Sequence, residues 1–303
     1  MADGVIVKAK TQRGKRAIES RAPKAVENTK TAMFIRGGKT SEVVTQALKD
    51  LCALKKPNGV MFQRKNILKP FEDQTSLEFF SVKNDASLFV YGSHSKKRPH
   101  NLVIGRCFDG HVLDMIELGI EKYKTLQSFK TSKCTMGTKP CLLFTGEAFD
   151  GETEYKRLKN MLIDFFRGPV IEKVRLQGLE HVIQVTVIDG KILFRSYRTI
   201  LKKSEGRTPR VELEEMGPAF DLTLRRTRLA SEDLIKQATK VPKVTKANKV
   251  KNIAYDAFGT KTGRVHMTRQ DYGKLQTRKM KGLKRKQEEN DDTETDNKRK
   301  KGS

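Results

Sequence analysis

Large hydrophobic residues crowd between Met33 and Leu234, and within that span they recur at two spacings. Order is expected to begin at Met33-Phe34-Ile35, punctuated by Gly37-Gly38. Val44, Ala47, Leu48, Leu51 and Leu54 then fall at i, i+3 and i+4 behind Thr40-Ser41, which predicts an amphipathic helix with a hydroxyl cap. Pro57-Asn58-Gly59 stops it. A second stripe of Leu158, Met161, Leu162, Phe165 and Phe166 follows Tyr155 and ends at Gly168-Pro169. Strand-length apolar runs lie at Leu88 to Tyr91, Leu102 to Ile104 and Cys141 to Phe144, with the basic loop Ser93 to Asn101 between the first two. Val182 to Ile188 and Ile192 to Tyr197 flank Asp189-Gly190, the signature of a tight hairpin. Val211 to Leu213 and Phe220 to Leu224 read as further strands, and Ser231 opens a short helix to Ala238.

Helices alternating with strands predict an α/β body over residues 31–235. Each part, about 31–145 and 146–235, mixes one long helix with several strands, which suggests two related halves without a residue-level repeat. Residues 1–30 form a basic extension with few large hydrophobes. From residue 236 to 303 the pattern fails, and Tyr255, Phe258, Met267 and Tyr272 stand singly among Lys, Arg, Gly, Thr and Gln. Such a tail is expected to stay extended until a partner orders it.

Charge sharpens this division. The net charge is +26, and residues 236–303 alone carry 20 Lys and Arg against 8 Asp and Glu. A modestly basic body with two basic extensions points to a polyanion, and nucleic acid is the obvious one. The four cysteines, Cys52, Cys107, Cys134 and Cys141, show no zinc-type spacing and read as reduced thiols. With no apolar signal core and no membrane-length run, the chain reads as soluble and intracellular.

Gly38-Lys39-Thr40 invites a phosphate-loop reading. However, Met33 occupies the place of the loop's first glycine and no clear strand is expected before it, so nucleotide hydrolysis is set aside. Glu72-Asp73 and the group Glu212, Glu214, Glu215 and Asp221 offer carboxylates for a metal-dependent nuclease; pairing with Arg207, Arg210 and Arg225 is the plainer reading. The histidines show no spacing that marks a nucleophile site, and His181 reads as a packed residue. Binding has the better case. Lys96, Lys97 and Arg98 sit in a loop between strands, and Arg225, Arg226 and Arg228 follow a strand. The tail interleaves cations with Tyr255, Phe258 and Tyr272, which suits single-stranded or structured RNA, or anchoring in a protein groove. Lys284-Arg285-Lys286 and Lys298-Arg299-Lys300-Lys301 resemble a bipartite nuclear localisation signal.

Four stretches carry a resemblance. Pro70 to Phe80, and Lys96-Lys97-Arg98-Pro99 with Asn101 to Arg106, are similar to the first half of a Brix domain. Gly190 to Tyr197 and Glu215 to Leu222 are similar to its second half. The likeness runs from about Lys24 to Leu283, including Phe258-Gly259-Thr260 and Leu275 to Leu283. Many members place Arg directly after the Gly-Pro, where this chain has Ala219, so an RNA contact expected there passes to Arg225 and Arg226.

The resemblance implies two α/β halves, each like the anticodon-binding domain of certain aminoacyl-tRNA synthetases, with basic and largely extended termini. It implies a nucleolar, non-catalytic assembly factor of the large ribosomal subunit that needs no cofactor. Such a factor pairs with the regulator of ribosome synthesis, a small helical protein, and helps place 5S ribosomal RNA and its ribosomal proteins on the precursor particle. Arg106 and Arg195 in the matched motifs, and Arg264, Arg278, Lys279 and Lys281 in the tail, join Lys96 to Arg98 and Arg225, Arg226 and Arg228 as expected RNA contacts. Two rivals stand beside this reading: an RNA-acting enzyme using Glu212 or Asp221, and a structural ribosomal protein retained in the finished subunit.

Overall fold

The apolar runs assemble into one mixed sheet whose two faces are covered unequally. The structure, a computed structural model, describes residues 9–22, 24–171, 174–175, 178–204, 206, 209–242, 251–264 and 273. A polar helix, α1 (Gln12–Arg21), comes first, capped by the Thr11 hydroxyl, which accepts from the Gly14 amide at 3.1 Å. It lies in the basic extension, where too few hydrophobes stand to predict it. β1 (Ala32–Gly37) leads to α2 (Glu42–Lys55), whose cap is Ser41, accepting from the Val44 amide at 3.3 Å. β2 (Gly59–Asn66), α3 (Thr75–Asn84), β3 (Leu88–Ser93), β4 (Asn101–Phe108) and β5 (His111–Lys124) follow. Next come β6 (Cys141–Thr145), a single-turn α4 (Ala148–Gly151), α5 (Thr153–Phe166), β7 (His181–Ile188), β8 (Lys191–Lys202), β9 (Arg210–Glu215), β10 (Ala219–Arg228) and α6 (Glu232–Ala238). A strand therefore does precede Gly38-Lys39-Thr40. What excludes the phosphate loop is length, since only four residues separate β1 from α2.

The sheet order is β2-β1-β3-β4-β5-β10-β8-β7-β6, with β9 on β8. β1 is parallel to β3 and β6 to β7, and each pair is extended by two antiparallel neighbours, β4 and β5 or β8 and β10. In both cases the helix that follows the first strand, α2 or α5, packs on the same face. The pattern is thus repeated head to head, with β5 antiparallel to β10 at the seam and β2 and α3 as additions to the first copy.

α2 and α5 bury the stripes predicted for them against Phe34, Val90, Ile104, Ile116, Leu118, Ile183, Phe194 and Phe220. A run of rings, Phe34, Phe165, Phe166, Phe194, Phe220 and Tyr123, crosses the seam with centroid separations of 4.9 to 5.9 Å. On the other face α3 covers a smaller core of Met33, Ile35, Leu77, Phe89, Tyr91, Val103 and Met115. Gly105 is obligatory there, because a Cβ would stand 2.4 Å from the Phe89 ring and 2.8 Å from the Asp114 carbonyl. Asp189 and Gly190 both have positive φ (49° and 73°), as a two-residue hairpin of the expected type requires.

His181 is buried, as expected, and its Nε2 lies 2.9 Å from Ser196 Oγ. Burial pushes its pKa down to about 4. The unfolded ring protonates at about 6.5, so between these values the unfolded chain holds more protons, and stability is lost as the pH drops. Urea denaturation should show a loss of about 2 kcal/mol between about pH 7 and about pH 5 from this group. His181→Gln should flatten that part of the profile, and an unchanged profile would assign the loss to carboxylates instead.

Residues 246–303 form a separate unit. Its described part is a hairpin, β11 (Ile253–Tyr255) and β12 (Lys261–Gly263), closed by the Arg264 amide donating to the Asn252 carbonyl at 2.8 Å. Phe258 stands at its tip, 93% exposed.

Candidate nucleic-acid interface

The basic loop between β3 and β4 and the arginines of β10 are more than a hundred residues apart, and the sheet brings them together over one carboxylate. The link is β5, which pairs with β4 on one side and β10 on the other. Along β5, Ile116, Leu118 and Ile120 point into the larger core, so the intervening Glu117 faces the side covered by α3. Glu117 is completely buried. Arg98 Nη1 donates to its two oxygens at 3.3 and 3.2 Å, and Arg226 Nε donates to the same carboxylate. The Arg226 guanidinium also lies 4.1 Å from the centroid of the Phe71 ring, a cation–π contact. Each arginine is thus held by part of its fork and keeps N–H donors that these bonds do not use.

Arg225 fixes the loop from below. Its Nη1 donates to Asn101 Oδ1 at 3.0 Å and its Nη2 to the Pro99 carbonyl at 2.9 Å. The path it takes needs Gly119, where a Cβ would come within 2.4 Å of the guanidinium. Both ends of the loop are also tied to the turn between β1 and α2: the His94 amide donates to the Lys39 carbonyl at 2.9 Å, and His100 Nδ1 lies 2.8 Å from Ser41 Oγ. Burial, then the neighbouring His94 and Arg225, lower the pKa of His100. Lys96 and Lys97 project from this anchored loop, exposed and without an ion pair among the described residues. The arrangement is a rigid pedestal carrying mobile cations, suited to phosphates.

Not every expected contact belongs here. Arg106 is a correction: it is buried and holds a structural network. Its Nε and Nη2 meet Asp114 at 2.7 Å each, and its Nη1 reaches Asn160 and Asp164 on α5, again at 2.7 Å. A guanidinium enclosed in this way has no face left for RNA. Arg195 is half-buried against Asp221 at 2.6 Å and the Phe220 carbonyl at 2.7 Å, one strand away from the cluster. Arg228, by contrast, continues the face of the cluster: it is exposed, opposite Met115 and two residues beyond Arg226 on β10. Ala219 is buried beside β5, with Lys124 directly across in register. Arg264 is exposed in the separate hairpin unit. Arg278, Lys279, Lys281 and the localisation clusters Lys284 to Lys286 and Lys298 to Lys301 lie outside the described residues.

Glu117 was the missed residue; its signal is a lone acid between Ile116 and Leu118 in an alternating run. The acids proposed for a nuclease do not converge. Glu212 pairs with Lys202 at 2.5 Å and Arg210 at 3.7 Å, while Asp221 and Glu215 are held apart by the Arg195 guanidinium, at 2.6 and 3.9 Å from it. Among the described residues no group of three or more His, Cys, Asp or Glu is placed to hold a metal.

The family model for the Brix domain matches residues 37–226, which include the anchored loop between β3 and β4, Glu117 and the seam between β5 and β10. The chain belongs to the Brix domain family. Within this Brix protein the matched span ends at Arg226, the second arginine on Glu117. Curated relatives extend the likeness beyond the domain. The chain is 61% identical to "Ribosome production factor 2 homolog" of Mus musculus over 259 residues, 86% of this chain and 85% of the mouse protein. It is 49% identical to the protein of that name from Schizosaccharomyces pombe, covering 96% and 94% of the two chains. It is 44% identical to "Ribosome biogenesis protein RPF2" of Saccharomyces cerevisiae, covering 92% and 85%.

Proposed function

We propose that this Brix protein is a non-catalytic assembly factor of the large ribosomal subunit that works in the nucleolus and binds ribosomal RNA. The observation that carries the reading is the convergence of Lys96, Lys97, Arg98, Arg225 and Arg226 around buried Glu117, in a chain whose relatives are named for ribosome production. Phosphates take the exposed lysines and the unused arginine donors. The hairpin unit adds Phe258, on which an unpaired base can stack. The protein helps bring 5S ribosomal RNA with its ribosomal proteins to the precursor particle, paired with the regulator of ribosome synthesis. For that protein partner the body offers exposed apolar positions: Leu143 on the edge strand β6, Val211 and Leu213 on β9, and Leu201 on the end of β8 that pairs with β9. Single apolar residues at a surface are ordinary, but Leu201 and Val211 are register partners and Leu213 lies two residues along.

The test is binding of the full chain, alone and with its helical partner, to 5S ribosomal RNA and to an unrelated structured RNA at two salt concentrations. Preference for 5S RNA that persists at the higher salt is the expected result. Equal binding to both would reduce the interaction to charge alone. Sedimentation should place the protein on precursor particles, and its presence on translating ribosomes would favour a retained structural protein instead.

A further inference from the structure

We propose that the carboxyl ends of β2, β1 and β3 form a second RNA-backbone site, a phosphate crevice whose cations are Lys39, Arg64 and Lys65. The inference rests on the RNA-binding reading and extends it to a surface outside the Glu117 cluster. β1 lies between β2 and β3, and all three strands are parallel, so their carboxyl ends share one edge of the sheet. Arg36 is in register with Lys65 on one side and Gly92 on the other, and Gly37 with Asn66. From that edge the chain leaves β1 for α2 on one face, and leaves β2 for α3 on the other. Adjacent parallel strands whose exits part to opposite faces leave a crevice between them, the usual place for a ligand in an open α/β sheet.

The charge of this edge is one-sided. Residues 36–41, 62–71 and 92–101 make it up; they contain eight Lys and Arg and no Asp or Glu, and of the eight Lys69 and Arg98 pair with acids outside these segments, Glu72 and Glu117. Lys39, Arg64 and Lys65 are exposed and make no ion pair or side-chain hydrogen bond among the described residues. Arg36 spends Nη2 on the Gln63 carbonyl, while its Nε is shielded from solvent and has no partner. Such a cluster repels itself until a polyanion arrives. The turn beneath it is closed and has no room for further side chains: a Cβ on Gly37 would meet Tyr91 Oη at 2.7 Å, and one on Gly38 would meet Ile67 Cγ1 at 2.9 Å. The four-residue turn is too short to wrap a free polyphosphate. Cations on two neighbouring strand ends, about 5 Å apart, and continued by Lys96 and Lys97 beyond β3, suit successive phosphates of a chain. Because the Lys39 carbonyl holds the His94 amide, the crevice runs directly into the loop of Lys96 and Lys97.

The experiment compares the full-length protein with the triple variant Lys39→Gln, Arg64→Gln, Lys65→Gln for binding to 5S ribosomal RNA across a salt series. Losing three phosphate contacts should shrink the affinity drop between about 50 and about 200 mM salt by about 20- to 40-fold, with weaker binding at the low end. Lys39→Gln alone should lower the salt slope by about 0.8, which gives a second reading should the triple variant fold poorly. Unchanged affinity and slope in variants that fold would overturn the crevice while leaving the RNA reading intact. A wild-type chain that binds no RNA at low salt sinks both. Displacement of RNA by guanosine monophosphate would also overturn the proposal, by making the crevice a site for a small phosphate ligand.

Discussion

Arg106→Ala is expected to destabilise the protein by about 3–5 kcal/mol, and to leave the RNA affinity of the folded fraction unchanged. The guanidinium is buried between β4, β5 and α5, and it serves three side chains: Asp114, Asn160 and Asp164. Asp114 is fully buried, so removing its partner strands a charge that water cannot reach. Asp164 suffers less, because Lys30 remains 3.0 Å away and the pair is partly exposed. Arg106→Lys keeps the charge but loses the planar fork, and should recover only part of the loss. Urea denaturation measures the first effect, and RNA titration of the same samples measures the second. A variant of normal stability with weakened RNA binding would return Arg106 to the interface, where the sequence alone had placed it.

The triple variant Lys96→Glu, Lys97→Glu, Arg228→Glu is expected to lower affinity for 5S RNA by about 100-fold at moderate salt, through three lost phosphate contacts worth about 0.9 kcal/mol each. All three side chains are exposed and unpaired among the described residues, so the thermal midpoint should hold. Lys49→Glu, Lys130→Glu, Lys156→Glu makes the same change in net charge elsewhere in the body. Equal losses in the two triples would mean that overall charge, and not this surface, governs binding. Arg225→Ala tests the pedestal instead: without its bonds to Asn101 and Pro99 the loop is freed, and affinity should fall although the loop keeps its lysines.

α2, α5 and the β7–β8 hairpin were legible because each advertises itself locally, two by an apolar stripe at helical spacing and one by Asp189-Gly190. β5 was overlooked although Asp109-Gly110, the same turn dipeptide with the same positive φ, stands immediately before it. Its alternation is disguised by Asp114 and Glu117, two acids at buried positions. β2 hid because it is an edge strand with a polar end, and α3 because its exposed side carries Phe79 and Val82. α1 is too polar to show any stripe. The cations of the interface were legible as residue types, but their meeting was not, since it depends on β5 pairing with β4 on one side and with β10 on the other. No local spacing distinguished Arg106, which turns inward, from Arg98, which stays at the surface. The sign that could have done so is the matching acid at Asp114, eight residues on across a tight turn.

The seam between β5 and β10 also sets a timetable for synthesis. β5 ends at Lys124 and its partner does not begin until Ala219. At roughly 5–20 residues per second, a nascent chain waits roughly 5 to 20 s with that long strand unpaired along one side. Throughout this interval the first half exposes an open hydrogen-bonding edge flanked by Ile116, Leu118 and Ile120, a template for pairing with a neighbouring chain. Any transcript truncated before β10 leaves that edge open permanently. Such products should aggregate rather than persist as a working first half, and the full chain depends during those seconds on whatever shields the edge in the cell.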